Sequence, residues 1–506
     1  MKNIDSGHGE GPSTLSRLSR REVLKLGVGV VGNLAVSTEA LASLAPSDCT
    51  GGPRPNFVFF LGEGVRADEL SSSRIENWDA NQCSAMGNRV ISTPHLDRIV
   101  KEGISFRNAF VTNALCLPSR ATILTGLYSH STGCIDNRDR EIPQNIPTVA
   151  DLLRRAGYEV AFLGKAHVRN MHLRNWDYYF GIEAAGADYY HPVITESEHG
   201  VPKPAETYHG YVDDIVTDRA LAWLKERSKP FCLFLWFVAP HAPFYRPRRY
   251  LDLYNGVPIP KPVTFDDDLK GYPGKPLAFH EAENKIGTTV AGGCPRSLEE
   301  LVKDHYAGVV TNDDCARRIF DALARAEVLD DTVILFSSDH GFFLGEWRFY
   351  DKRFMHEPSI RVPLSIRYPN LVKAGSVCSE MALNTDIAPT ILDLAGLQIP
   401  EWMQGRSLVP FLKGDPPAVW RKDWLYEYYE YPWGNRVRPH RGIRTDRYKL
   451  IHYYLEPEQF ELYDLQEDPG ELHNLYGTPS AAELVPRLRH RIEELRKEMG
   501  DEFNNH

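Results

Sequence analysis

No two cysteines in this chain are spaced as CxxC. The eight cysteines, at 49, 83, 116, 134, 232, 294, 315 and 378, are also too sparse in 506 residues to form a disulfide scaffold. A zinc cage and a thioredoxin-type redox pair are set aside on the same ground. Strong charge is missing too. A formal net charge of −10 on a chain of this size offers no general basic face and argues against a nucleic-acid partner. There is no internal repeat, and the most apolar N-terminal run is too short and too rich in glycine for a stable membrane span, so none is expected in the mature chain. What is present is a globular balance of 42% hydrophobic, 25% charged and 11% aromatic residues. The length suits two domains, or one large domain with an appendage.

Residues 1–45 stand apart. In "SRREVLKLGVGVVGNLAV" the pair Arg20-Arg21 precedes an apolar, glycine-rich stretch, and "ALASLA" supplies small residues suited to cleavage. This is the form of a twin-arginine export signal. It implies the twin-arginine export machinery as a partner, folding before export, and a periplasmic or extracellular destination.

From "RPNFVFFLG" onward, buried-strand and helical patterns alternate. "TPHLDRIVKEG", "TVADLLRRAG", "YVDDIVTDRALAWLKER", "DDCARRIFDALARAEV" and "DIAPTILDLAG" have helical apolar periods. "ISFRNAFV", "YEVAFLG", "FCLFLWFVAP" and "DTVILFSSDHG" read as strands, and Cys232 in the third reads as a buried small hydrophobe. The alternation predicts an α/β domain over residues 54–400, with a large, mostly parallel sheet sandwiched by helices. Residues 258–294 read as a long surface loop. Residues 401–506 change character. Aromatic, antiparallel-type strands, a turn-rich hairpin-like "ELYDLQEDPGELHNLY" and a closing amphipathic helix predict a smaller α+β subdomain.

In open parallel sheets, ligands gather beyond the carboxyl ends of the strands. Glu63, Lys165, His167, His241, Asp339 and His340 all follow predicted strands. Converging carboxylates suit a hard divalent cation. Arg120, Lys165, His167, His241 and Lys352 form a set able to hold an anion and donate protons. Taken singly, each has a plainer reading: Asp339-His340-Gly341 as a turn, Lys165 as a strand-end cap, Lys352 as a solvated charge.

Cys116 is the odd residue, a lone cysteine at the mouth of a helix in "CLPSRATILTG". This stretch resembles the signature of the type I sulfatases, formylglycine-dependent enzymes with an alkaline-phosphatase-like fold. Further matches occur in family order over about residues 54–476: "PNFVFFL", "GKAH", "APHAP", "SSDHG", "DKRFMHEPSIRVPLSIRYP" and "ELYDLQEDPGELHNL". The resemblance implies that a modification enzyme oxidises Cys116 to Cα-formylglycine, whose hydrate attacks sulfur. It implies a cation, calcium or alternatively magnesium, held by Glu63, Cys116, Asp339 and His340. By the same matching, Lys165 and His167 contact the modified residue and sulfate. His241 and Lys352 bind sulfate and assist the leaving alcohol. Arg120 braces the modified side chain and the metal carboxylates from a helix opening at Pro118.

The C-terminal aromatic run is similar to that of bacterial N-acetylglucosamine-6-sulfatases acting on glycosaminoglycan or mucin. That similarity places His440 and Arg441 at the substrate rim and implies a sulfated carbohydrate substrate. One departure stands out. Where the family has Asp-Asp after the first strand, this chain has Glu63-Gly64, which leaves water, Asp68 or another carboxylate to complete the site. The longer glutamate and the side-chain-free glycine are expected to act as a pair. A phosphonate monoester or phosphodiester hydrolase of the same fold, and a catalytically silent glycan-binding relative, are the alternative readings.

Overall fold

The computed structural model describes residues 54–502 except 75–89, 139, 260, 271–273 and 288–296. The expected export signal lies outside the described residues. Nine strands form most of the main sheet: β1 (Asn56–Gly62), β2 (Ile104–Phe110), β3 (Glu159–Lys165), β4 (Tyr178–Ile182), β5 (Val193–Glu198), β6 (Phe231–Trp236), β7 (Thr332–Ser338), β8 (Leu364–Arg367) and β9 (Ser376–Leu383). Their order is β9-β2-β8-β7-β1-β6-β3-β4-β5, and two short strands, Val201–Pro202 and Glu206–Thr207, pair with β5. The run β7-β1-β6-β3-β4 is parallel, while β8 and β5 run against their neighbours.

β1 shows why its sequence is apolar throughout. Phe57, Phe59 and Leu61 pack into one core, and Val58 and Phe60 into another on the opposite face. Helices α2 (Cys116–Thr125), α3 (Val149–Arg155) and α6 (Ile387–Leu394) cover the first face. Helices α1 (Leu96–Lys101), α4 (Val212–Leu224) and α5 (Leu298–Arg325) cover the second. A strand wetted on neither face has no use for alternation. Cys232 on β6 is fully buried, and burial pushes its thiol well above the ordinary range.

A second, antiparallel sheet has the order β10 (Asp423–Tyr428), β11 (His440–Thr445), β12 (Tyr448–Tyr453), β13 (Gln459–Asp464). Helix α7 (Leu484–Glu498) lays Leu488, Ile492 and Leu495 on one face of it, at the helical spacing that the sequence displays.

Three expectations are corrected. Helix α5 begins 15 residues before Asp313, because Ser297 caps the N–H of Glu300 and the apolar stripe runs on from Leu298. "ELYDLQEDPGELHNLY" contributes one strand, β13, paired upstream with β12, and not a hairpin. Within 258–294, the short helix Leu277–Glu281 buries Phe279 against Trp347, Phe349 and Phe354, so this part is anchored into the core.

His130, in the single turn Ser129–Thr132 after α2, joins three elements. Its Nδ1 lies 2.6 Å from Glu427 Oε2 on β10, and its Nε2 lies 2.9 Å from the carbonyl of Met499 beyond α7. Both neighbours are acceptors, so the imidazolium satisfies both. Burial opposes that charge, but Glu427 outweighs it and raises the pKa to about 9. The folded value lies above the unfolded one. The stabilisation, about 3 kcal/mol, is therefore complete below the unfolded pKa near 6.5 and fades as pH rises through about 9. His130→Gln should lose stability to urea at pH 6 and match the parent near pH 10.

Gly164, next to Lys165, has a φ of +109°, and a Cβ there would lie 1.8 Å from the carbonyl oxygen of Trp236 on the paired strand β6. Gly164→Ala should therefore destabilise the protein by about 3 kcal/mol or more, read as a lowered denaturation midpoint.

Candidate active site

The four adjacent parallel strands β7-β1-β6-β3 end in register, with Gly62 opposite Ser338, Leu61 opposite Trp236, and Gly164 opposite Trp236. Residues just past those ends therefore share one crevice. β1 delivers Glu63, β3 ends on Lys165, and β7 delivers Asp339 and His340. Beyond β6, the backbone N–H groups of Val238 and Ala239 donate to Asp213 of α4 at 2.8 and 2.9 Å, and Asn312 of α5 donates to Ala239 O at 3.0 Å. These bonds fix the segment that carries His241.

Helix α2 points its N-terminus into the same crevice. It opens at Cys116, with Leu115 extended as the capping residue, rather than at Pro118. Cys116 thus stands where free N–H groups and the helix dipole favour negative charge. Its Sγ lies 3.0 Å from Glu63 Oε1 and 3.3 Å from His340 Nε2. Burial and Glu63 push the thiol up, but Lys165, Lys352 and His340 prevail and hold it well below its ordinary range.

Arg120, fully buried one turn into α2, is the hub. Its Nη2 donates to Glu63 Oε2 at 2.6 Å, its Nε to Asp339 Oδ2 at 2.9 Å, and its Nη1 to the carbonyl of Lys165. Lys165 Nζ lies 2.9 Å from Glu63 Oε2. Burial alone would raise the Glu63 pKa, yet Lys165 and Arg120 hold it well below the usual carboxylate range. Asp339 has less compensation: burial and the Glu63 charge raise it to about 6.

One oxygen of each carboxylate is consumed by cations. The other oxygens, Glu63 Oε1 and Asp339 Oδ1, lie 3.4 and 3.5 Å from His340 Nε2. One ligand atom each from Glu63, Cys116, Asp339 and His340 falls within 4.8 Å of all the others. His340 Nδ1 lies 2.8 Å from the carbonyl of Gly341, which fixes one proton there and turns Nε2 toward the group. Two carboxylate oxygens and an oriented imidazole nitrogen fit a divalent cation. The charge balance agrees. Although burial disfavours it, Asp339 raises His340 to about 10, so the pocket draws a positive charge to the position that a cation would fill.

Asp68 is not available as a further ligand, because Arg66 takes both its oxygens at 2.8 and 2.9 Å. Nor is the space at Gly64 empty. A Cβ there would sit 3.2 Å from the His340 ring and 3.1 Å from Phe342, on a backbone with φ +72°. The imidazole fills room that a second carboxylate would need.

Around Cys116 stand the remaining groups. His167, at φ 52°, stands beside Cys116, and burial lowers its pKa to about 4, so it is neutral. His241 Nδ1 lies 2.7 Å from Ala242 O, which leaves Nε2 facing Glu63 Oε1 at 3.9 Å; its side chain is 19% exposed, on the open side of the crevice. Lys352 Nζ lies 2.9 Å from Asp351 Oδ1.

Lys352 has neighbours that sequence reasoning missed. Arg353 pairs with Asp351, and its Nε meets Glu430 Oε2 at 3.2 Å. Glu430 Oε1 accepts from Asn137 N at 3.1 Å, and Asn137 Oδ1 accepts from Leu117 N at 3.1 Å, one residue past Cys116. The "DKR" run was a usable signal for the first pair. Nothing local marks Glu430 or Asn137.

Two predicted rim residues lie elsewhere. His440 is fully buried among Phe354, Tyr426, Tyr428 and Tyr453, with Nδ1 on the carbonyl of Arg438, and burial lowers its pKa to about 3. Arg441, next along β11, faces the other side of the sheet and lies over the Tyr454 ring at 4.7 Å. Neighbours on a strand point to opposite faces, so the two cannot serve one rim together.

Residues 55–397 match the sulfatase family, and residues 345–498 match the C-terminal region of N-sulphoglucosamine sulphohydrolase. The chain belongs to the sulfatase family. It is 34% identical over 530 residues to an N-acetylglucosamine-6-O-sulfatase of Bacteroides thetaiotaomicron, covering 92% of this chain and 91% of that protein. It is 31% identical to the multifunctional alkaline phosphatase superfamily protein PehA of Trinickia caryophylli, covering 78% of this chain and 87% of that one. A solved structure of a protein in complex with its substrate D-glucosamine-2-N,6-O-disulfate superposes with a TM-score of 0.81 at 33% identity, over 89% of this chain and 99% of that one. This sulfatase is thus a hydrolase of sulfuric esters with an alkaline-phosphatase-like fold. No helix among its described residues is long and apolar enough to cross a membrane.

The contact between Gly64 and His340 yields a prediction. Gly64→Asp should crowd the imidazole and raise the dissociation constant for a divalent cation about tenfold. Gly64→Asp with His340→Asn should recover most of the loss, as read by calorimetric titration.

Proposed function

We propose that this sulfatase removes the 6-sulfate from N-acetylglucosamine or N-sulfoglucosamine units of a glycosaminoglycan or mucin. The observation that carries the reaction class is the placement of Cys116, at a helix N-terminus, against the oxygens of Glu63 and Asp339 and among Lys165, Lys352 and His241. The sugar is supported by two likenesses at 33–34% identity over nearly the whole chain. Cys116 is the precursor of formylglycine, and its conversion requires a modification enzyme that recognises "CLPSR". Glu63, Asp339 and His340 hold the cation, calcium or else magnesium. When present, the cation and the hydrated aldehyde supply a polarised sulfate oxygen and the attacking hydroxyl.

The chain's own groups do the rest. Lys165 and Lys352 flank position 116 and hold sulfate oxygens by charge-assisted hydrogen bonds. Arg120 keeps Glu63 and Asp339 ionised and in place. His167, neutral beside position 116, accepts a proton there. His241 is lowered by burial and by Lys165 in the free protein. An arriving sulfate ester adds negative charge beside it and favours its protonated form, from which Nε2 donates to the departing alcohol oxygen. Its partial exposure supports a leaving sugar on the open side of the crevice. Residues 1–45 direct twin-arginine export, and the folded protein works in the periplasm or outside the cell.

Hydrolysis of phosphonate monoesters or phosphodiesters is a second reading, in keeping with the likeness to PehA, a multifunctional protein of the alkaline phosphatase superfamily. Fully modified protein should release sulfate from N-acetylglucosamine-6-sulfate much faster than it cleaves a matched phosphodiester; the reverse order would select the second reading. Cys116→Ala should lower turnover by a factor of about 10⁴ or more with an unchanged unfolding midpoint. Comparable turnover in that variant would rule out both.

A further inference from the structure

Tyr426 of β10 is fully buried in the seam between the small sheet and the catalytic crevice, its ring stacked on His440 with centroids 5.5 Å apart. Its hydroxyl meets backbone from two separate segments. It donates to the carbonyl of Arg353 at 2.7 Å and accepts from the N–H of Ala114 at 3.2 Å. Ala114 lies two residues before Cys116, and Arg353 directly follows Lys352. One oxygen atom therefore links the chain that carries the nucleophile to the chain that carries the nearby ammonium.

Each segment needs such a tie. The stretch Thr112–Ala114 runs into α2 beside β10, where Glu427 N also donates to Thr112 O at 3.0 Å. The Lys352 loop is strained, with Asp351 at φ 79° and Arg353 at φ 98°, left-handed conformations that non-glycine residues hold only where the surroundings enforce them. A phenol is suited to the task. It donates and accepts at once, and burial keeps its proton well beyond the ordinary range. His440, misplaced at the rim by its sequence context, takes a role here: its ring backs Tyr426 on one side and Phe354 of the same loop on another.

We propose that Tyr426 is a positioning residue for sulfate-ester hydrolysis, its hydroxyl setting the spacing between position 116 and Lys352. This rests on the reading of Lys352 as a sulfate-binding group. A misplacement on the scale of 1 Å costs up to about a hundredfold in rate; the loss of one buried hydrogen-bonding hydroxyl, with the ring retained, is expected to cost about tenfold.

The test uses full-length, cation-loaded protein with conversion at position 116 measured by intact mass, so that rates are expressed per converted molecule. Tyr426→Phe, Lys352→Ala and the double variant are compared on N-acetylglucosamine-6-sulfate, in single turnover where needed. Tyr426→Phe should lower kcat about tenfold and weaken competitive inhibition by inorganic sulfate several-fold, about 3- to 10-fold. In the Lys352→Ala background the same change should alter kcat by less than about twofold, because the group being positioned is gone. A purely structural role would multiply equally in both backgrounds, and that result overturns the proposal. So does a Tyr426→Phe variant with parental kcat and sulfate inhibition while Lys352→Ala is inactive. Parental activity of Lys352→Ala itself overturns the reading of Lys352 and this proposal with it.

Discussion

The guanidinium of Arg120 is the contact on which the rest of the site depends. It is fully buried and joins the end of β1 through Glu63, the end of β7 through Asp339 and the end of β3 through the carbonyl of Lys165. A buried cation is tolerated only when its hydrogen bonds are met by opposite charge. Here the two carboxylates that meet it are the same two whose other oxygens line the candidate cation site, and each spends one oxygen on the arginine side. The guanidinium has the fork geometry to reach all three partners at once, which an ammonium lacks. Because Arg120 sits one turn into α2, satisfying it also fixes where the helix begins, and with it Cys116.

Around that hub the protein concentrates positive charge. Lys165, Lys352, Arg353 and the N-terminus of α2 surround a small set of anions, and the consequence is visible in the thiol of Cys116, held well below its ordinary range despite burial. An anionic ester entering this crevice meets cations that are already gathered and held by their carboxylate partners. Glycine at position 64 fits the same accounting of charge and space: the imidazole of His340 occupies the room beside Gly64 and turns a nitrogen toward the candidate cation site.

The second sheet is part of this arrangement rather than an appendage. Tyr426 touches backbone on both sides of the crevice, Glu430 reaches Arg353 and, through Asn137, the first turn of α2, and Glu427 pairs with His130 just beyond that helix. The family match to the C-terminal region begins at residue 345 and so includes the Lys352 loop, in keeping with a functional unit that crosses between the sheets.

Most of the fold was legible from residue order because local physics sets it. Continuous apolar runs such as "FVFFL" and "FCLFLW" have only one comfortable home, a strand covered on both faces, and the capped, periodic segments between them have only the helix. The strand-end positions of Glu63, Lys165, Asp339 and His340 followed from that alternation, and the identity of Cys116 and Arg120 as partners followed from the motif that carries them. What residue order could not decide was every relation that depends on register or on long-range packing. His440 and Arg441 share an aromatic context, but the pleat sends them to opposite faces, one into an aromatic core and one away from the crevice. Asp68 looks like a spare ligand until Arg66 folds back over it. Glu430, Asn137 and Tyr426 carry no local signal, since Glu430 and Tyr426 act through contacts more than 70 residues away in the chain and the Asn137 side chain through one 20 residues away. The sequence alone determined which chemistry this protein carries, because reactive side chains and strand ends are local properties. Only the tertiary structure decided which groups stand close enough to use it, because distance between remote segments is set by how the two sheets pack.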